Sequence, residues 1–289
     1  MYSMNDYLNA PVSHEVPNEK PKPNGYRCFP GAWYYKALSS KDQWLGIEAT
    51  ITLPEFYPDS FRFEMIPDQG SNQQEFKKYL DTPSIYVGGS SDYETDIGFG
   101  WFRGLVHGRL SEEKITFRPF WRYIYLEDGN EKNEYEGTPL FQVEHYYFPG
   151  DTVKIHLFCT EEHYLQFRAE LIKPTKIPKY DAIRKTYSNQ PMLLLTGKIP
   201  APGNGVNDTE YKRVNAIDQY HNEGKLSRLT SAKVECCSWE EVYLFRTVNK
   251  ELLKVPFSSS RYIQMFCPNE ESFHVETNGV NEKVWISPK

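Results

Sequence analysis

The sequence predicts an all-β protein, a large antiparallel two-sheet β-sandwich with few short helices. Three observations lead to this prediction. Apolar and polar residues alternate through most of the chain, the aromatic fraction is 15% and dominated by strand-favouring Tyr and Phe, and helical periodicity is rare. A chain of 289 residues is long enough to form one large all-β domain.

The clearest predicted element is a β-hairpin in the middle of the chain. In DTVKIHLFC (151–159), Val153, Ile155 and Leu157 share one face, and YLQFRAELI repeats the pattern after the short TEEH turn. Similar alternation recurs in WLGIEATITL, FRFEMI, SIYVGG, DIGFGWF, KITFRPFWRYIYLE, FQVEHYYF, MLLLTGKI, TEYKRVNAID, SAKVECCSWEEVYLFR, SFHVET and KVWIS. Because crossover helices are missing between these strands, we expect antiparallel sheets, stacked face to face or closed into a barrel.

Helical signals are limited to two short segments, NQQEFKKYLDT and KYDAIRKTY. Residues 1–24 are rich in proline and predict an extended N-terminal arm, followed by a single β-sandwich domain over residues 25–289. The Pro- and Lys-rich stretch 173–192 breaks the strand pattern. We interpret it as an excursion within the sandwich, with a linker between two domains as the alternative.

Composition excludes several classes of partner. A net charge of −6 with scattered basic residues argues against nucleic acid, and no apolar run approaches the length of about 18 residues that spans a membrane. No secretory signal is visible, which predicts a cytoplasmic or otherwise intracellular protein and leaves release by a non-classical route open. The five cysteines have no metal-binding spacing, so we expect free thiols and no zinc site.

The order of segments resembles the concanavalin A-like jelly-roll group over residues 25–287. The likeness rests on a Trp-containing entry strand (GAWYYKALSSKDQWLGIEATITLP), a Gly-rich strand (DIGFGWFRG), a Trp- and Tyr-rich strand, and FPGDTVKIHLF. The PGD turn before a long hairpin is also similar to the glutamic peptidases. The resemblance implies a large curved sandwich with a concave sheet that binds a ligand.

The residues that glutamic peptidases need are absent from this chain. Such enzymes are known for a Gln and a Glu on neighbouring strands, which together activate a water molecule. In the strand that resembles the Gln strand, Thr95 or Asp96 stands at that place. In the strand that resembles the Glu strand, Lys233 falls nearest and Glu235 lies two residues on. A lysine cannot act as that carboxylate, so we do not expect peptidase activity by this route.

The stretch AIDQYHNEGKL (216–226) concentrates polar residues. Its Asp218-x-Tyr220-x-Asn222 pattern resembles part of the metal-binding loop of legume lectins, in which oxygen ligands hold calcium. The further ligands of that loop are replaced here by Ala216, Ser227 and Ala232. We therefore interpret the stretch as the polar exit of a strand and predict no metal site.

A second polar motif is an alternating acidic row, Asp92, Glu94 and Asp96, in DYETDIG. An extended chain places all three on one side, where they would form a catalytic row or bind calcium, or else be a solvated strand entry. His274 and Glu276 alternate in SFHVE and complete the set of candidate catalytic residues. No other cofactor is expected.

Our leading functional prediction is a non-catalytic, lectin-like protein that binds carbohydrate in the groove of the concave sheet. Aromatic rings stack on sugars, and arginine pairs with acidic groups. The predicted ligand-binding residues are Phe99, Trp101, Arg118, Trp121, Arg122, Tyr123 and Tyr125. The alternatives are a structural or self-assembling protein, such as a coat or storage component, and a glycan-active hydrolase or lyase.

Overall fold

A computed structural model describes residues 1–67, 75–106, 109–127, 130–136, 145–185 and 192–289. Side chains within 66–76, 102–115 and 125–136 lie outside this description. The strands are β1 Ala32–Ser39, β2 Trp44–Thr52, β3 Phe56–Tyr57, β4 Phe63–Pro67, β5 Glu75–Tyr79, β6 Asp81–Ser90, β7 Glu94–Val106, β8 Arg109–Glu127, β9 Asn130–Glu136, β10 Thr152–Glu161, β11 Tyr164–Lys173, β12 Leu193–Leu195, β13 Ile199–Pro200, β14 Glu210–Gln219, β15 Lys233–Val248, β16 Glu251–Pro256, β17 Tyr262–Cys267, β18 Phe273–Asn278 and β19 Asn281–Ile286.

Two large antiparallel sheets confirm the predicted sandwich. The seven-stranded sheet has the order β17-β1-β14-β6-β7-β8-β9. The ten-stranded sheet follows the path β12-β11-β10-β2-β15-β19-β18, with β13, β16 and β3 attached at its side. Strands β4 and β5 form a separate hairpin. The finer assignment to the concanavalin A-like group stays a prediction, as does the division into an arm and a single domain.

The hydrophobic core lies between the two sheets. Alternate residues of each strand point inward, as the period of two requires. Ile85, Ile97 and Phe117 of the seven-stranded sheet belong to the same buried cluster as Ile47 and Leu157 of the ten-stranded sheet. Part of the aromatic excess of the sequence is therefore used for packing between the sheets.

The predicted central hairpin is confirmed as β10 and β11, in which Ile155 pairs with Ala169. The helices are α1 (Met4–Asn9), α2 (Pro178–Lys185) and a short 3-10 turn (Glu270–Ser272). None of the described helices is long and apolar enough to cross a membrane. Helix α2 coincides with most of the predicted KYDAIRKTY segment and begins one residue before it.

The other predicted helix, NQQEFKKYLDT, is wrong for its described part, because Glu75–Tyr79 forms strand β5. This strand pairs with β4, where Lys78 lies 3.0 Å from Glu64 and the Lys77 ammonium lies 4.4 Å from the Phe63 ring centroid. Cross-strand contacts of this kind override a weak helical pattern.

The N-terminal arm is not extended throughout, since it begins with α1. Ser3 and Asp6 form a capping box at the start of this helix. Tyr7 is fully buried on the outer face of the ten-stranded sheet, where its ring packs on Phe158 and Phe245. A buried tyrosine therefore fastens the arm to the sandwich.

The expectation of five free thiols is wrong for two of them. Cys28 and Cys267 form a disulfide, with their Cα atoms 5.6 Å apart and a sequence separation of 239 positions. The pairing arises because β17 lies beside β1, which brings the end of β17 to the segment that precedes β1. Cys159, Cys236 and Cys237 are free.

Candidate functional site

The outward side of the seven-stranded sheet presents an unusual set of polar and aromatic side chains. On β6, β7 and β14 the core residues Ile85, Ile97 and Ile217 alternate with residues that point away from the core. We call this outward surface the polar face. Its residues are Lys36, Ser84, Tyr86, Glu94, Asp96, Arg118, Phe120, Arg122, Lys212 and Asp218.

One row across the polar face is made of charged residues on either side of a glycine. Strand register places Lys212 opposite Gly88, Gly88 opposite Asp96, and Asp96 opposite Arg122. Lys212 extends across the glycine, so that its Nζ lies 2.5 Å from Asp96 Oδ1 and also pairs with Glu94. The Lys212 and Asp96 side chains are only 4% and 7% exposed, which makes this a largely buried cluster.

The neighbouring row of the polar face is aromatic. Register places Tyr86 opposite Gly98, and Gly98 opposite Phe120. The Tyr86 and Phe120 rings meet edge to face with centroids 5.7 Å apart. A Cβ atom at Gly98 would lie 2.6 Å from Tyr86 Cβ, so the glycine is what gives this ring its place.

Burial strongly alters the titration of this cluster. It raises the pKa of Asp96 to about 7, with Lys36 and Arg122 acting in the opposite direction. Burial also lowers the pKa of Lys212 well below its ordinary value, and the nearby Lys36 adds to this effect. Both shifts favour the neutral forms of the acid and the amine. Burial and the Asp96 carboxylate raise the pKa of Tyr86, so its phenol remains a neutral hydrogen-bond donor.

The loop that follows β14 borders one end of the polar face. Glu223 of this loop forms an ion pair with Arg122 of β8. Asp218 is solvent-exposed, yet burial raises its pKa. Asp218 and Glu223 thus place two carboxyl groups near Arg122 at this end of the polar face.

The remaining polar residues of the 216–226 stretch hold the loop together, as predicted for a strand exit. The buried Asn222 side chain donates to Gln219 Oε1 and to the Leu226 carbonyl. Gln219 in turn donates to the Arg228 carbonyl. Among the described residues no group of three or more His, Cys, Asp and Glu side chains has a geometry that would hold a metal ion.

The five predicted catalytic candidates do not come together. Glu94 and Asp96 share Lys212, whereas Asp92 precedes β7 and accepts a hydrogen bond from Asn207 at 3.1 Å. His274 and Glu276 lie 3.2 Å apart on β18, an exposed strand of the ten-stranded sheet. The structure thus assembles only part of the acidic row.

The aromatic residues predicted to bind the ligand do not lie on the polar face. Phe99, Trp101 and Trp121 are buried in the core between the sheets, and the half-buried Tyr123 packs against that core. They occupy the inward positions of β7 and β8, because the strand period of two separates them from the polar face.

Arg118 and Arg122 lie on the polar face, and their predicted role in ligand binding stays a prediction. The side chain of Tyr125 lies outside the described residues. The sequence reasoning missed Tyr86, Phe120 and Lys212. A signal for this face was present in DIGFGWF, where small residues alternate with large apolar ones and leave one side of the strand open.

The strand correspondence with glutamic peptidases also needs correction. Lys233 and Glu235 belong to β15 of the ten-stranded sheet, while Thr95 and Asp96 belong to β7 of the other sheet. The lysine that meets Asp96 is Lys212 of β14. The sequence does not indicate this contact, because β7 and β14 are far apart in the chain.

Comparisons with known proteins identify only distant likenesses of fold. Scytalido-glutamic peptidase, solved with a transition state analog inhibitor, aligns with 91% of this chain and 100% of its own, at 9% identity and a TM-score of 0.48. SCP-B, a member of the eqolisin family solved with the tripeptide Ala-Ile-His, aligns with 89% of this chain and 98% of its own, at 10% identity and a TM-score of 0.45.

A third structure, the β-porphyranase BpGH16B from the human gut bacterium Bacteroides plebeius, aligns with 66% of this chain and 64% of its own, at 14% identity and a TM-score of 0.19. No protein-family model matches the chain. No curated protein matches it either. These likenesses supply no assignment of activity, which must be argued from the polar face itself.

Proposed function

We propose that the protein binds carbohydrate on its polar face, in a lectin-like manner and without catalysis. The observation that supports this most is the Tyr86–Phe120 ring pair of the polar face. Tyr86 is half-buried and Phe120 is 8% exposed, so Tyr86 is the ring that a sugar would reach. Aromatic rings of this kind pack against the apolar face of a sugar. Arg122 and Asp218 lie on the same face and provide donors and acceptors for sugar hydroxyl groups.

The state of the acidic side chains favours binding over catalysis. Glycoside hydrolysis commonly needs two carboxyl groups on either side of the scissile bond. On the polar face, Glu94 and Asp96 both contact the same nitrogen, Lys212 Nζ. His274 and Glu276 are on the other sheet and cannot complete the set. Within the part of the chain that the structure describes, the hydrolase or lyase alternative therefore has no assembled pair of free carboxyl groups.

A glycan array, run with and without calcium, tests the proposal. We expect the wild-type protein to bind a defined group of glycans and the Tyr86→Ala variant to bind them about tenfold more weakly, as expected when a stacked ring is lost. The matched control is Tyr243→Ala, which removes a half-buried tyrosine from the other sheet and should leave binding unchanged. A blank array with the folded wild-type protein would refute carbohydrate binding.

Self-association, the second candidate function, is favoured by one specific observation. Phe61, Leu226 and Leu229 are 90%, 88% and 74% exposed. Their segments meet where Ser231 donates its backbone N–H to Asp59 at 2.9 Å. A second copy of this chain would cover these apolar side chains. Sedimentation velocity should then show concentration-dependent assembly that Leu226→Ser with Leu229→Ser abolishes, whereas a monomer at all concentrations would exclude it.

A further inference from the structure

The Lys212–Asp96–Glu94 cluster has the features of a reactive group rather than of an ordinary ion pair. Lys212 Nζ lies 2.5 Å from Asp96 Oδ1, and this oxygen makes no hydrogen bond with any described residue. Glu94 contacts the same nitrogen. An amine, a carboxyl group and a second carboxylate are thus in contact at one nearly buried point.

Gly88 leaves the space in which the Lys212 and Asp96 side chains meet. A Cβ atom at this position would lie 2.8 Å from Lys212 Cε and 3.0 Å from Asp96 Oδ1. Any side chain at position 88 would therefore push Lys212 and Asp96 apart. Lys212 thus crosses β6 at a glycine.

Burial prepares both groups for amide formation. It raises the pKa of Asp96 and lowers the pKa of Lys212, so the pair can exist as a neutral carboxylic acid and a neutral amine. A neutral amine is a nucleophile, and a protonated carboxyl group can lose its hydroxyl as water. The Tyr86 ring, with its centroid 5.8 Å from Nζ, helps to keep bulk water away.

We propose that Lys212 and Asp96 react to form an intramolecular isopeptide bond that joins β14 to β7 across β6. In this step the Lys212 nitrogen forms a bond to Asp96 Cγ, and the bond from Cγ to the hydroxyl oxygen breaks. Glu94 accepts a proton from the nitrogen and returns it to the departing hydroxyl, which leaves as water. The products are one amide and one water molecule, and no oxidant or other reactant is required.

The reaction is independent of whatever ligand the polar face binds. The strands that it joins each make extensive contacts in the seven-stranded sheet, with β6 between them. The link would therefore fix the register of this part of the sheet by a covalent bond as well as by hydrogen bonds.

Intact mass spectrometry of the reduced, denatured wild-type protein tests the proposal. We expect a mass about 18 Da below that of the sequence, and a branched peptide that contains both Lys212 and Asp96 after digestion. A full sequence mass, or a loss of water located at other residues, would overturn the proposal. This measurement needs no variant and therefore does not depend on the folding of one.

Variants test the role of each residue. Lys212→Arg and Asp96→Ala should each restore the full mass, and Glu94→Gln should do so although both reacting residues remain. Lys36→Arg changes another lysine of the polar face and should retain the loss of water. A Glu94→Gln protein that is fully linked would remove Glu94 from the mechanism.

Discussion

His156 is a residue whose environment predicts how stability depends on pH. It is buried on the outer face of the ten-stranded sheet, and its Nε2 lies 3.1 Å from Glu48 Oε2. Lys254 lies 2.9 Å from the other Glu48 oxygen. Burial lowers the pKa of His156, and Glu48 only partly opposes this effect. The folded protein therefore resists protonation of a side chain that the unfolded chain protonates readily.

We expect the free energy of unfolding to fall as the pH decreases below 6.5, the ordinary pKa of histidine. The unfolded state binds a proton there and the folded state does not, so the slope contributed by His156 is at most about 1.4 kcal/mol per pH unit. Urea unfolding between about pH 7.5 and 5.5 measures it. Because burial raises the pKa of Asp96 to about 7, this carboxyl group also titrates in that range, and the part due to His156 is read from the difference between the wild type and a His156 variant.

The His156→Gln variant should lose this part of the slope. His274, which is 65% exposed, provides the matched control, and His274→Gln should keep the wild-type slope. Identical slopes in the wild type and in His156→Gln would contradict the assignment.

The same scale shows which part of the site the sequence could predict. The alternation of DIGFGWF places Phe99 and Trp101 on one side of β7 and Asp96 on the other. An aromatic run suits a ligand-binding surface and a hydrophobic core equally well, so the sequence does not show that the aromatic side faces the core. The contact of Lys212 with Asp96 could not be predicted, because it depends on the order of strands far apart in sequence.

At the scale of elements, Asp151 organises the excursion that follows the central hairpin. Its buried carboxylate accepts hydrogen bonds from the backbone N–H groups of Phe148 and Thr175 at 2.8 and 2.7 Å. It also forms an ion pair with Arg184 of α2 at 2.5 Å. Tyr180 of α2 stacks on Phe148 with ring centroids 5.6 Å apart. The PGD turn is therefore the attachment point of α2.

We expect Asp151→Ala to lower the free energy of unfolding by about 3–5 kcal/mol, because it leaves a buried arginine and two N–H groups without their acceptor. Asp181→Ala, which removes an exposed i,i+4 partner of Lys185 from the same helix, should change stability little. Urea denaturation compares the two. Equal effects of the two substitutions would show that Asp151 does not anchor the helix.

Elements also differ in how well the sequence predicts them. The β10–β11 hairpin was evident because its turn is short and its alternation is strict. The helix predicted over part of β5 was wrong because a short amphipathic pattern fits both periods. Helix α1 was not predicted because it has only six residues and lies at the start of a Pro-rich stretch. Its capping box, Ser3 with Asp6, is a signal in the sequence that indicates this helix.

At the scale of the whole molecule, a buried ion pair connects the two sheets. Arg213 of β14 and Glu282 of β19 are both fully buried and pair across the core. Trp239, Phe257 and Tyr262 surround the guanidinium with ring centroids 5.2–5.9 Å away. The core is thus not purely apolar where the two layers meet.

Removing one member of this pair should cost much more than removing both. We expect Arg213→Met to lower the free energy of unfolding by about 3–5 kcal/mol, since it leaves a buried carboxylate unpaired, and Arg213→Met with Glu282→Gln to regain most of that loss. A double-mutant cycle by urea unfolding measures the coupling. The exposed pair Lys198–Glu161 should show almost none, and additive effects at Arg213 and Glu282 would refute the bridge.

The disulfide between Cys28 and Cys267 has a consequence for the integrity of the molecule. It closes the polypeptide from Cys28 to Cys267 into a single covalent ring. Cutting any one peptide bond between these cysteines opens the ring but releases no fragment. The nicked protein would therefore migrate as one species until it is reduced, and a cut in a loop need not separate the two sheets.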